Sequence, residues 1–185
     1  MKKTILIALS VLGNTLSAQE KPAIPFSRNT EFNKSEYNNF SSKKETLLEK
    51  QIVNIGKIGD LNFQKITLKD NKDNASISVL GIMTFFENFD SISKRTITFE
   101  KEEVKLLISN LQTLEQKTST KPSVETKYKY TTKNSLEAGS TFDLGSNSWV
   151  YFFKLPNYNL QNATVLDKDE FKELINILKK IEKDL

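Results

Sequence analysis

Two acidic runs supply the most closely paired carboxylates in the chain, Glu100-Lys101-Glu102-Glu103 and Asp167-Lys168-Asp169-Glu170. Such pairs can ligate a hard cation through oxygen, or act as acid and base in glycoside hydrolysis. Both runs, however, stand where an apolar helical stripe begins, and carboxylates in a first helical turn offset the positive end of the helix dipole. Asp167 and Glu170 also have capping-box spacing, with Asp in place of the usual Ser or Thr. Capping is therefore the simpler role, and the Gly and twelve-residue ligand order of a calcium loop are missing. No metal site and no cofactor is expected.

Nucleophilic chemistry is restricted by what the chain lacks. It has no His and no Cys, which removes the Ser-His-Asp triad, the imidazole base and the thiolate nucleophile together. A hydrolase built on carboxylates or on a Ser-Lys pair needs neither residue and stays open. No Gly-x-Ser-x-Gly elbow and no Gly-rich phosphate loop supports it, and six Gly in 185 residues leave little material for such loops.

Aromatic residues offer the remaining candidate site. In the run Trp149-Val150-Tyr151-Phe152-Phe153-Lys154-Leu155, strand alternation puts Trp149, Tyr151, Phe153 and Leu155 on one face. Upstream, Tyr128 and Tyr130 share one face while Lys127, Lys129 and Lys133 share the other. Tyr128, Tyr130, Trp149 and Tyr151 are the candidate binding residues, a platform for a peptide or glycan. The competing expectation for the same rings is core packing between the two halves of the domain.

These residues need elements to position them. Runs rich in β-formers at residues 52–58, 62–69, 75–86 and 94–99 predict four strands, divided by turn formers such as Gly59-Asp60. Val104, Leu107, Ile108, Leu111 and Leu114 then fall on one helical stripe over residues 101–117, which Thr118 to Pro122 terminates. The order recurs, with strands expected at 124–131, 136–144, 149–155 and 163–166 and a helix at 168–184. Its stripe is Phe171, Leu174, Ile175, Leu178 and Ile181. Laying residues 98–116 over 165–183, an offset of 67, makes seven of nineteen pairs identical, including Leu107/Leu174 and Leu111/Leu178. The expected fold is α+β: two pseudo-symmetric ββββα repeats, residues 51–121 and 122–185, whose antiparallel sheets are each covered by one amphipathic helix.

This tandem order resembles the PUR and Whirly folds. The second half, from Tyr128 through the Trp149 strand to the acidic start of the last helix, looks like an uncharacterised family of small exported bacterial proteins built of a duplicated ββββα unit. The first likeness implies single-stranded nucleic-acid binding; the second implies no particular activity. The composition departs from a nucleic-acid binder, because Arg28 and Arg95 are the only arginines and the net charge is +4. Shared topology does not carry function across.

The N-terminus decides the expected destination. Lys2 and Lys3, an apolar run from Thr4 to Leu12 and the small residues Ser17 and Ala18 read as a secretory signal peptide at residues 1–18. The run is about half the roughly 20 residues a membrane-spanning helix needs, so no transmembrane segment is expected in the mature chain. Residues 19–50 read as a polar, disordered leader, with a short helix at its end signalled by the capping box Ser42-Lys43-Lys44-Glu45. Deleting residues 19–44 is then expected to leave stability nearly unchanged. The composite expectation is a periplasmic or extracellular, non-enzymatic binding or interaction module whose partner is an exported protein, a peptide or a glycan. The alternatives are the exported hydrolase and the PUR-like nucleic-acid binder, with nucleic acid disfavoured by charge.

Overall fold

The structure, a computed structural model, describes residues 35–88, 91–156 and 163–185. The signal-peptide expectation and most of the leader lie outside these residues. A short helix α1 (Glu36–Ser41) precedes four strands, β1 (Leu48–Ile58), β2 (Leu61–Asp70), β3 (Ser76–Asn88) and β4 (Ser91–Phe99), and the helix α2 (Lys101–Lys117). The second half repeats this order with β5 (Thr126–Thr131), β6 (Glu137–Asp143), β7 (Ser148–Lys154), β8 (Ala163–Leu166) and the helix α3 (Lys168–Asp184). Each set of four strands forms one antiparallel meander, ordered β1-β2-β3-β4 and β5-β6-β7-β8. The α+β duplication is thus present, and α2 and α3 begin and end 67 residues apart.

Period explains the elements. Along β5 half-buried and exposed residues alternate strictly, as a strand with one face turned inward requires. The stripes of α2 and α3 are buried along their whole length, from Val104 to Leu114 and from Phe171 to Ile181. They meet one continuous core, to which the first sheet contributes Phe63, Leu80, Ile82 and Phe99 and the second Ala138, Tyr151, Phe153 and Leu166, with Leu136 just before β6. Each helix reaches both sheets. The helix α3 packs on β1 as well as on β7 and β8, and α2 packs on β6 as well as on β3. The β1–β2 pairing slips at Asn54/Gly56, and a Cβ added at Gly56 would stand 2.8 Å from Ile177 Cδ1 of α3, so this glycine lets strand and helix close up.

The leader differs from its expectation. The helix lies before the Ser42–Glu45 box, with Ser35 as N-cap and Ser42 as C-cap, and Leu48 to Lys50 already belong to β1. Glu45 takes a left-handed φ of 57°, which breaks any helix there, and the Thr46 hydroxyl donates to the Asp70 carboxylate. The segment is also tied to the domain. The Tyr37 N–H donates to Glu100 Oε1 at 3.0 Å, and Lys43 Nζ reaches Asp70 at 2.8 Å and Asp73 at 3.1 Å. This α1 segment lies against β3. On the first sheet's second face, where Ile66 pairs with Val79 and Asn62 with Met83, the residues Gln64, Ile66, Leu68, Val79 and Met83 are all buried.

Candidate functional site

Register decides how the four candidate aromatics meet. Cross-strand partners share a face in an antiparallel sheet. The row Tyr128–Ser140–Tyr151 runs across β5, β6 and β7, with Tyr130–Ala138–Phe153 beside it and Phe142–Trp149 on the far side. All of these point toward the helices. The Trp149 ring stacks on Tyr128 at 5.6 Å between centroids and meets the Phe142 ring edge-on at 5.2 Å, while its indole N–H donates to the Thr120 carbonyl at 2.9 Å. That bond anchors the linker after α2 to the second sheet. Tyr128, Tyr130 and Trp149 are half-buried against the core.

Tyr151 departs from the platform expectation. It is 2% exposed, its ring stacks on Phe171 of α3 at 4.4 Å, and its hydroxyl donates to Thr118 Oγ1, the C-cap of α2, at 2.9 Å. It therefore joins strand to both helices and presents no ring to solvent. The Tyr130 hydroxyl is held above the usual phenol range, first by burial and then by the nearby Glu103 carboxylate. The Ser140 Oγ between Tyr128 and Tyr151 is buried without a hydrogen-bond partner.

The acidic runs act at helix ends. Asp167 accepts the N–H groups of Asp169 and Glu170, each at 2.8 Å, and Glu170 accepts the Asp167 N–H at 3.0 Å. At α2 the Glu103 carboxylate accepts the Glu100 N–H at 3.0 Å, and Glu100 itself holds Tyr37. Among the described residues no group of three or more carboxylates is placed to hold a metal ion. The Asp143 carboxylate closes the β6–β7 turn by accepting from the Gly145 and Ser146 N–H groups and the Ser146 hydroxyl. Beside it lies a cleft of ≈ 350 Å³ lined by Glu125, Thr141, Phe142, Asp143 and Leu144.

Sequence reasoning overlooked one polar feature and separated the faces of a second without assigning it a role. The first is the Asp70 side of the α1 strap. Asp70 is 3% exposed, and its carboxyl is held far below the ordinary carboxylate range, first by the Lys43 ammonium and then by the Thr46 hydroxyl and the Lys72 N–H. Only the turn chemistry of Asp70 to Asn74 signalled it. The other is the second face of the β5–β8 sheet, turned away from both helices. It carries Lys127, Lys129 and Lys154 around Phe152, with Val150 exposed and Val165 65% exposed. Glu137 pairs with Lys129 at 3.0 Å and Lys154 at 4.0 Å, and Lys127 Nζ lies 5.5 Å from the Phe152 ring centroid. Phe152 lies over Gly139, its cross-strand partner. A Cβ at Gly139 would fall 2.5 Å from that ring and 2.2 Å from the Tyr128 carbonyl oxygen.

No known protein family, curated protein or solved structure matches this chain. No helix among the described residues is long and apolar enough to cross a membrane.

Proposed function

We propose that the chain is an exported, non-enzymatic binding or interaction module, released by cleavage near Ala18 to the periplasm or the exterior, with kinship to small exported proteins of duplicated ββββα units. One observation carries the non-enzymatic reading. Carboxylates of both acidic runs and of two turns are engaged in structure: Asp167, Glu170 and Glu103 in helix starts, Asp143 in a turn and Asp70 in the α1 strap. Binding is supported by the second sheet's outer face, which no described helix covers and which mixes Lys127, Lys129 and Lys154 with Phe152, Val150 and Val165.

The same lysines and Phe152 favour a second reading, single-stranded nucleic acid laid on that face, for which stacking rings and cations are the usual contacts. It predicts binding to oligothymidylate that weakens steeply with salt. For the leading reading, the purified chain is screened against chromogenic esterase, peptidase and glycosidase substrates and is expected to be inert. Turnover abolished by a single carboxylate or Ser substitution overturns it in favour of the hydrolase.

A further inference from the structure

We infer that β5 is a docking edge for an extended peptide whose residues alternate between acidic and apolar, added as a fifth strand to the β5–β8 sheet. The inference rests on the binding-module reading and names its site and its partner's chemistry. Among the described residues β5 pairs only with β6, so its outer edge presents backbone N–H and C=O groups that can accept another strand.

The side chains of β5 give that edge a two-sided code. On the outer face Lys127 and Lys129 stand about 7 Å apart, the spacing of alternate residues in any strand laid beside them. Both are exposed, and the same face adds Lys154. Glu137 is shared between Lys129 and Lys154, so one carboxylate serves two ammonium groups. Glu125 stands before β5 at the cleft and leaves Lys127 and Lys129 as the cationic stretch. Carboxylates at alternate positions of an added strand would meet this stretch. On the inner face Tyr128 and Tyr130 are half-buried at the sheet margin, where apolar residues of the added strand would cover them. The opposite edge, β8, spans four residues, Ala163–Leu166. The long edge strand β1 is partly taken up by α3 near Gly56 and carries Glu49 beside Lys50. Among the described residues β5 combines an edge paired on one side, two cations at alternate positions of one face and adjacent rings on the other.

The test is fluorescence anisotropy of the purified chain with a labelled Thr-Glu-Val-Glu-Val-Glu-Thr peptide. Saturable binding is expected, stronger than for a peptide of the same composition in scrambled order. Reversing both charges, Lys127→Glu with Lys129→Glu, should weaken binding by about tenfold, as two exposed ion pairs turned repulsive imply. The peptide Thr-Lys-Val-Lys-Val-Lys-Thr should recover affinity for that variant. Two N-methylated peptides, blocked at the Glu or at the Val nitrogens, test the backbone on the unaltered chain, and one of them should lose binding while the other keeps it. Equal binding of both, indifference to charge reversal, or tighter Lys127-dependent binding of oligothymidylate or a uronate polysaccharide overturns the strand-addition proposal. So does no binding at all. Failure of the peptide outcomes leaves the module reading standing, since that reading falls on turnover in the substrate screen, whereas tighter oligothymidylate binding favours the nucleic-acid reading.

Discussion

Removing the Tyr151 ring would empty a place that both helices share, since Phe171 stacks on it and Thr118 accepts its hydroxyl. Truncating a large buried ring leaves a cavity as well as lost transfer energy, so Tyr151→Ala is expected to destabilise by about 3–5 kcal/mol in urea unfolding. Tyr151→Phe, which loses one hydrogen bond, should cost about 1 kcal/mol. Equal losses for the two would place the ring outside the core. At Gly139 the limit is space: a methyl group meets a backbone carbonyl that cannot rotate away, so Gly139→Ala is expected to lower stability by about 1–3 kcal/mol, the usual cost of overpacking. Asp70 predicts a pH effect. Its folded pKa is depressed, so the unfolded chain binds its proton first; the stabilisation is complete at neutral pH and fades as pH falls below the ordinary carboxylate value. Melting temperatures of Asp70→Asn and the parent, measured from pH 7 downward, should therefore converge in acid. A constant gap across that range would contradict the assignment.

The helices show how much a periodic signal conveys. The i, i+3, i+4 pattern predicted α2 and α3 at the observed limits, because a stripe that must be buried has a unique phase. Leu111→Ala and Leu178→Ala should each cost about 2–5 kcal/mol, and a loss under about 1 kcal/mol for both would move the stripes out of the core. Strand positions were legible from alternation, yet β1 begins at Leu48 rather than Ile52, since pairing with Leu68 to Asp70 extends it into polar residues. The α1 strap was invisible because its hold comes from residues far along the chain, Asp70 and Glu100, rather than from its own pattern. The candidate site was half legible. Alternation separated the faces of β5 and β7, but which ring is sealed depends on Phe171 and Thr118, which no local spacing reveals. The strap also reverses the expectation for the leader: a chain lacking residues 19–44 should melt more than about 3 °C lower, equivalent to roughly 1 kcal/mol in a domain of this size. An unchanged melting temperature would make its contacts incidental.

At the scale of the molecule, duplication has not produced two independent folds. The core draws on both sheets and both stripes, and α3 covers β1 from the opposite half. A chain of residues 51–121 alone lacks Ile177 beside Gly56 and Phe171 beside the shared interior, so it is expected to be unfolded by circular dichroism and by amide chemical-shift dispersion. The intact chain should unfold in one cooperative transition. A folded isolated half would show that each sheet needs only its own helix.

The packing of α3 on β1, together with the bond from Lys65 to the Asp184 carbonyl, also sets an order in time. Translation delivers β1 early and α3 after every other element described. At ordinary rates of synthesis about ten seconds separate them. Through that interval the nascent first half displays Phe63, Leu80 and Ile82 without the helix that completes their cover, and the long sequence separation of the closing contacts slows the final step further. That part of the core is thus left without its full cover until the last helix has been made.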